Sequence, residues 1–466
     1  MKKYKVIFAL SFWLLLAISA CHRDEITFEN PSQLLRFSSD TLFLDTVYNQ
    51  VRSETYAVKI YNDEDKDISI PQISLGSGAS SLYRINLDGR AGVEFNNVLL
   101  RKKDSLYIFV EIAPVANAPE AIAEEKINIQ TSAGQQHITL LSVVQDAEFF
   151  IQTETNPNII TSDATWQNDK AKIILGDLTL AEGKTLNISQ GTKVYFHRNS
   201  SLKISKNATL NAAGDLQKEI IFRGDRNDTR YDTVPKNWNG IFAEEGAKIN
   251  LNYAKIIGGT RGIELREATA DIKNTIIHTH QEYGIMAVKS NLNTVNTVIA
   301  NCGEAAIGIF KGGNYNLTHS TIANYWAFNS VLPGHGILAS NEFQNGETTE
   351  QGSLTLNIRN SIIYTGVENG IVFKPTNGQS FNYLIQNSLV KHGADSGFIF
   401  DGNSNIVNSV KNEDPKFENY FTQKLNLRVK EDSPAKNKAN LQVAQTTPFD
   451  IVKISRSVSP TIGAYQ

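Results

Sequence analysis

NTII at Asn274, NTVI at Asn296, NSII at Asn360, NSLV at Asn387 and NSV at Asn408 are copies of one phrase: an asparagine, a small hydroxyl residue, then branched apolar residues. YAKII at Tyr253 and HSTI at His319 are looser copies. A glycine followed by an apolar residue trails each copy, at Gly262, Gly284, Gly308, Gly336, Gly370 and Gly397. The asparagine phrase returns every 21 to 23 residues, with one interval stretched to 41 and another to 27. A fixed period of this length marks stacked coils, each burying its apolar side against its neighbours.

The asparagine has a physical reason to recur. Coils of a parallel stack lie about 4.8 Å apart, so one carboxamide can donate to the coil above and accept from the coil below. Asparagine also tolerates the left-handed conformation that turns one short strand into the next. The isoleucines and valines that follow suit a strand buried from within. Asn274, Asn296, Asn360, Asn387 and Asn408, with His319 standing in once, are therefore expected to form a ladder that turns the chain and satisfies itself. The six glycines are expected to line up in a neighbouring column. On these residues the stretch 171–466 resembles the right-handed parallel β-helix (pectin-lyase-like) family. That resemblance implies an architecture and not one activity, because the fold hosts lyases, hydrolases, adhesins and inert spikes.

Working outward, the 466 residues allow two or three domains. Residues 1–20 read as a targeting segment: Lys2, Lys3 and Lys5 precede an apolar run from Val6 to Ile18, too short to span a bilayer. ISAC at Ile18–Cys21 resembles the lipobox of bacterial lipoproteins, which implies a lipid on Cys21, a tether over 21–33 and attachment to a membrane. Asp24 and Glu25 are similar to the acidic signal that sends some Gram-negative lipoproteins to the outer face, which implies the bacterial outer membrane, facing the exterior. With Cys21 lipidated, Cys302 has no partner for a disulfide within the chain.

From 34 to 147 the pattern changes to short alternating strands such as TYAVKIYN at Thr55 and SLYIFVEI at Ser105, parted by turn material. That pattern predicts a β-sandwich, and it resembles immunoglobulin-like domains of bacterial surface proteins. Residues 148–170, with Asn156-Pro157, read as a linker, 171–412 as the β-helix and 413–466 as a capping segment for its open end. The expected fold class is thus all-β: an immunoglobulin-like sandwich, then a right-handed parallel β-helix with a C-terminal cap. Trp238, at the end of a charged excursion from Gly224, is expected to be a packing anchor.

The net charge of −3 offers no broad basic field and argues against a nucleic-acid partner. Chemistry has to be sought on the turns. The distance from Ile363 to Gly370 equals that from Val390 to Gly397, which predicts Glu368 and Asp395 stacked in adjacent coils. Two carboxylates so placed could bind Ca²⁺ or approach the separation of about 5–5.5 Å used by retaining glycosidases. His335 lies nearby, and its GHG setting resembles a polygalacturonase motif, although the adjacent Asp pair of that family is missing. His278, His280 and Cys302 could ligate zinc but lack a fourth ligand. The apolar residue after each coil glycine is expected to point inward and its successor outward, as Glu264, Met286, Phe310, Leu338, Val372 and Ile399. That column is apolar enough to need cover from a loop or the insertion near Ser340–Gly352, or else to contact a ligand. Together these features point to a lipid-anchored envelope protein presenting a β-helix in a non-catalytic binding or structural role towards glycan or another surface component. The alternative is a polysaccharide lyase or glycoside hydrolase acting through Glu368, Asp395 and His335.

Overall fold

The computed structural model describes residues 27–44, 47–48, 52–114, 120–226, 229–328 and 331–466. Cys21 and the targeting segment lie outside the described residues. The chain divides into two compact units at Gln145/Asp146.

In the first unit, strand alternation decides the packing. Along Ser105–Ile112 the side chains of Ile108, Val110 and Ile112 are buried, while Tyr107 and Phe109 face out. Such a strand has one wet face and needs a second sheet against the other. One sheet runs Arg36–Phe37, Tyr56–Tyr61, Ser105–Ile112, Tyr83–Leu87, Arg90–Gly92. The other is built on the long hairpin Glu120–Thr131/Gly134–Gln145, flanked by Ile68–Leu75 and Glu94–Leu100. Their inner faces share one apolar cluster that includes Ile60, Ile70, Ile85, Ile127 and Leu140.

The second unit is a parallel β-helix. One sheet of 11 parallel strands carries the residues after each asparagine, from Ala147–Ile151 to Val410–Lys411. A 17-stranded sheet supplies the two other strands of each coil. One coil, for example, consists of Gly240–Ala243, Lys248–Asn252 and Ala254–Ile257. Ile263, Ile285, Ile307, Ile337 and Ile371 stack in register through the interior, all fully buried. Each contributes about 1.5–3 kcal/mol by leaving water. The turn residues Tyr253, Asn274, Asn296, His319, Asn360, Asn387 and Asn408 all adopt the left-handed conformation, with φ between 46° and 50°.

Several expectations need correction. Residues 148–170 are not a linker: Ala147–Ile151, Ile159–Ile160 and Ala164–Trp166 pair in parallel with the following coil, and Phe150 packs on the buried Trp166. Asn156-Pro157 is merely a turn within this first coil. The glycine column holds at Gly262, Gly284, Gly336 and Gly370, where an added Cβ would meet a backbone carbonyl or a side chain of the next coil. Gly308 and Gly397 are not in it. Ala306 takes the third position, and Gly308 pairs with Met286 two residues on, making room for the Tyr283 ring. Gly397 follows a turn of 3₁₀ helix outside any strand.

Residues 413–466 do not cap the stack. They lie along its flank, over the outer face of the 11-stranded sheet, where Phe417, Leu427, Ile451 and Ile462 cover Val298, Ala323, Ile362 and Leu389. That face is apolar, so it demanded cover more than the end did. The end is instead closed by 391–405, where Phe373, Phe381, Tyr383 and Phe398 cluster with ring separations of 4.8–6.5 Å.

Candidate functional site

The asparagine ladder is only partly self-satisfied. Asn274 donates to Asn252 at 2.8 Å and Asn296 to Asn274 at 2.9 Å; Asn360 donates to His319 at 3.0 Å. Elsewhere the flanking segment supplies the partners. Asn360 exchanges hydrogen bonds with the backbone of Asn440, and Asn387 donates to the Lys438 carbonyl. The buried Arg456 guanidinium donates to Asn296 Oδ1 at 2.8 Å and to the carbonyls of Phe449, Gly463 and Ala464. Among the described residues the Asn408 side chain, exposed at the end of the column, makes no hydrogen bond. Of the seven positions, the backbone turn is general and the continuous amide chain is not.

Glu368 and Asp395 do not occupy matching positions in adjacent coils. Lys391 O accepts from Gly370 N, and the two stretches diverge from there, so that Gly393 lies against Glu368 and Asn369 while Asp395 follows in the 3₁₀ turn. Equal spacing misled because the second stretch is no longer a coil. Both side chains are exposed, and the register that predicted their stacking is not the one the chain adopts. His335 is nearby as expected, but its Nδ1 is bonded to the Asn369 carbonyl at 2.9 Å and therefore carries the proton. His280 does pair in register with Cys302. Gly259 N donates to its Nδ1, and its Nε2 lies 3.2 Å from the Ile256 carbonyl, so neither nitrogen is open to zinc. Burial holds this ring down to about 3 and His278 to about 4, and pushes the Cys302 thiol up to about 12. Among the described residues no group of three or more His, Cys, Asp or Glu could hold a metal ion. Trp238 is the anchor expected, buried against Phe196 at 4.1 Å and donating to the Ile257 carbonyl.

The outward column after the glycines is Glu264, Met286, Gly308, Leu338 and Val372, with Phe310 one step off. Cover comes from the insertion, as expected. Its hairpin Glu342–Asn345/Thr348–Gln351 sets Phe343 5.9 Å from Phe310, and Lys311 pairs with Glu350.

What sequence reasoning missed is a cleft of about 370 Å³ where the 11-stranded sheet meets the flanking segment. Tyr325 and Tyr364, from adjacent coils, form one wall. Asp414, Lys416, Phe417, Tyr420, Lys430 and Asp432 form the other, held by the small hairpin Phe417–Asn419/Asn426–Val429. Tyr325 stacks on Tyr420 at 4.2 Å, and Tyr420 meets Phe421 at 4.8 Å. Tyr420 is 39% exposed and Phe421 61%, so this aromatic edge is open to a ligand. Lys416 donates to Asp432 at 2.7 Å, which holds that carboxyl below its usual range. Burial pushes the Tyr325 phenol up, with Asp414 adding to the effect. Rings flanked by carboxylates and ammonium groups can stack on the apolar face of a sugar and bond its hydroxyls. The usable signal was Tyr364, which follows the apolar pair of its phrase at an outward position.

No known protein family matches the chain, and no curated protein does. Among solved structures, the catalytic unit of a thermostable GH87 α-1,3-glucanase from Streptomyces thermodiastaticus aligns over 76% of this chain and 89% of its own, at 10% identity and TM-score 0.24. A family 123 glycoside hydrolase from Clostridium perfringens aligns over 29% of this chain and 30% of its own, at 10% identity and TM-score 0.19. Vibrio cholerae VesB protease aligns over 24% and 31%, at 10% identity and TM-score 0.17. The chain thus spans under a third of the length of the last two. Likeness at these scores carries no activity across; the class defined by the chain's own strands is the parallel β-helix.

Proposed function

We propose that this is a lipid-anchored envelope protein, tethered through Cys21 to the bacterial outer membrane and facing outward, whose right-handed β-helix binds glycan without cleaving it. The observation that carries the binding is the open cleft with Tyr325, Tyr364 and Tyr420 on its walls and charged groups between them. Its size falls within the range of about 300–1,000 Å³ typical of ligand sites. The immunoglobulin-like unit serves as the stalk in this reading. Hydrolysis is the second reading, favoured by Asp414 and Asp432 on one cleft. Against it, a carboxylate kept ionised by Lys416 suits a charge contact better than a general acid, which needs a raised pKa.

Affinity electrophoresis of the purified chain against a panel of soluble polysaccharides tests both. Retardation by at least one glycan, weakened tenfold or more in Tyr420→Ala and with no reducing ends released, is the expected result. Unchanged retardation in Tyr420→Ala would remove the cleft from the reading. Sugar release abolished in Asp414→Asn would establish the hydrolase instead. Radiolabelled fatty acid incorporated by the wild type and not by Cys21→Ser tests the anchor.

A further inference from the structure

A second column of asparagines runs up the outside of the stack, away from the aromatic cleft. Asn187, Asn211, Asn250, Asn293, Asn316 and Asn357 occupy the same outward position on the middle strand of successive coils, with Asp271 in one coil between. Their amides bond along the column: Asn211 donates to Asn187 at 2.9 Å, Asn250 to Asn211 at 2.8 Å, Asn293 to Asp271 at 3.0 Å and Asn357 to Asn316 at 3.1 Å. The flanking outward column carries Thr185, Thr209, Thr269 and Thr355, with Asn314 donating to Asn291 at 3.1 Å.

A carboxamide has two N–H donors and an oxygen with two lone pairs. Where an asparagine both donates to one neighbour and accepts from another, as Asn211 does, one donor and one lone pair still face solvent. The ladder fixes their direction, so a ligand that uses them meets side chains whose rotamer freedom is already restricted. The rungs repeat every ~4.8 Å. Charge on this face is scattered: Lys248, Lys273 and Arg359 stand in separate coils, and Asp271 pairs with Lys273 at 3.3 Å. A second observation lies at its start. A cleft of about 490 Å³ opens on the first two rungs, walled by Gln167, Asn168, Ser189 and Gln190 with Asn187 and Asn211. Ile188 and Ala213 complete a lining that is otherwise amides and a hydroxyl, and it contains no aromatic ring.

We propose that this face docks an extended, neutral, hydroxyl-rich polymer, a linear uncharged glycan, with one unit seated in the amide cleft and the following units along the rungs. Each sugar hydroxyl both donates and accepts, which matches a row of alternating donors and lone pairs. An anionic polymer would find no cationic row to neutralise it. This surface is separate from the aromatic cleft, so one rigid stack would contact glycan on two sides.

The test compares the purified full chain with Asn187→Ala/Asn211→Ala and with Thr209→Arg, using laminarin, dextran and hydroxyethyl cellulose as neutral probes and polygalacturonate as the anionic one. Tyr420→Ala is run beside them. The expected result is retardation by at least one neutral probe that falls tenfold or more in the asparagine variant and in Thr209→Arg, while Tyr420→Ala keeps this component. Thr209 has no part in the ladder, so its variant decides the matter should the asparagine variant fail to fold. Equal binding by wild type and Thr209→Arg overturns the proposal, as does retardation by polygalacturonate alone or by none of the probes. A face that instead pairs two copies of the chain, seen as a dimer in sedimentation that Thr209→Arg dissolves, also overturns it.

Discussion

Two columns of asparagine climb the same stack and do different work. The inner column, at the turns, is buried in its middle: Asn360 and His319 are fully covered and Asn296 nearly so, while Asn274 and Asn387 are half-buried and Asn408 is exposed. Its residues hold φ near 50°, a conformation the backbone needs there. The outer column sits on extended strands, where any residue could stand, and its members are exposed or half-buried. Their hydrogen bonds have nearly the same lengths, 2.8–3.0 Å inside and 2.8–3.1 Å outside. The difference teaches that the energy lies in the cover and the turn rather than in the amide contact. An exposed amide that loses its partner finds water, whereas a buried one does not.

Acid offers the largest way to break the contrast, because the inner column contains a buried imidazole as one of its rungs. Burial holds His319 and His280 at about 3 and His278 at about 4. The unfolded chain takes up these protons near pH 6.5 and the folded chain resists them. Stability is therefore complete above that pH and is lost as the pH falls towards 4. From pH 7 to pH 5 the loss is on the order of 2 kcal/mol for each ring. Thermal melts should decline over this range, and His319→Asn should decline less; a melting temperature flat from 7 to 5 would contradict the buried rings.

Removing the clip comes next. Arg456→Ala strands Asn296 Oδ1 and the carbonyls of Phe449, Gly463 and Ala464 beneath the flanking segment, a cost of about 3–4 kcal/mol. Limited proteolysis should then cut within 413–466 while the coils stay resistant. Resistance equal to the wild type would mean that the segment is held by its apolar contacts alone. The smallest effect sharpens the comparison directly. Asn360→Ala should cost about 1–3 kcal/mol, and Asn211→Ala under about 0.5 kcal/mol, read as denaturant midpoints. Equal losses would erase the distinction between the columns.

The coils were legible because one residue type was demanded twice, by the left-handed turn and by the stacking of amides, and so recurred visibly at Asn274, Asn296 and Asn360. The outer column was not, since an extended strand places no constraint that singles out Asn187 or Asn250. Spacing failed where a stretch left the coil: Glu368 and Asp395 are equally spaced from their glycines, yet only the first lies beside a strand that continues the stack. Gly308 looked like a coil glycine and answers to the Tyr283 ring. The aromatic cleft joins Tyr325 to Tyr420 through a segment whose docking surface is apolar on both sides, and apolar matching carries no address in sequence.

The segment over the inner column also bears on how this molecule is made. Lys453 reaches Asp215 and Arg456 reaches Asn296, residues that left the ribosome some 238 and 160 positions earlier. Simple repeat arrays tolerate gain or loss of a unit, because each module meets only adjacent ones. Here a duplicated or deleted coil would throw these distant bonds out of step, so the number of turns is fixed by a strap that follows them in the chain.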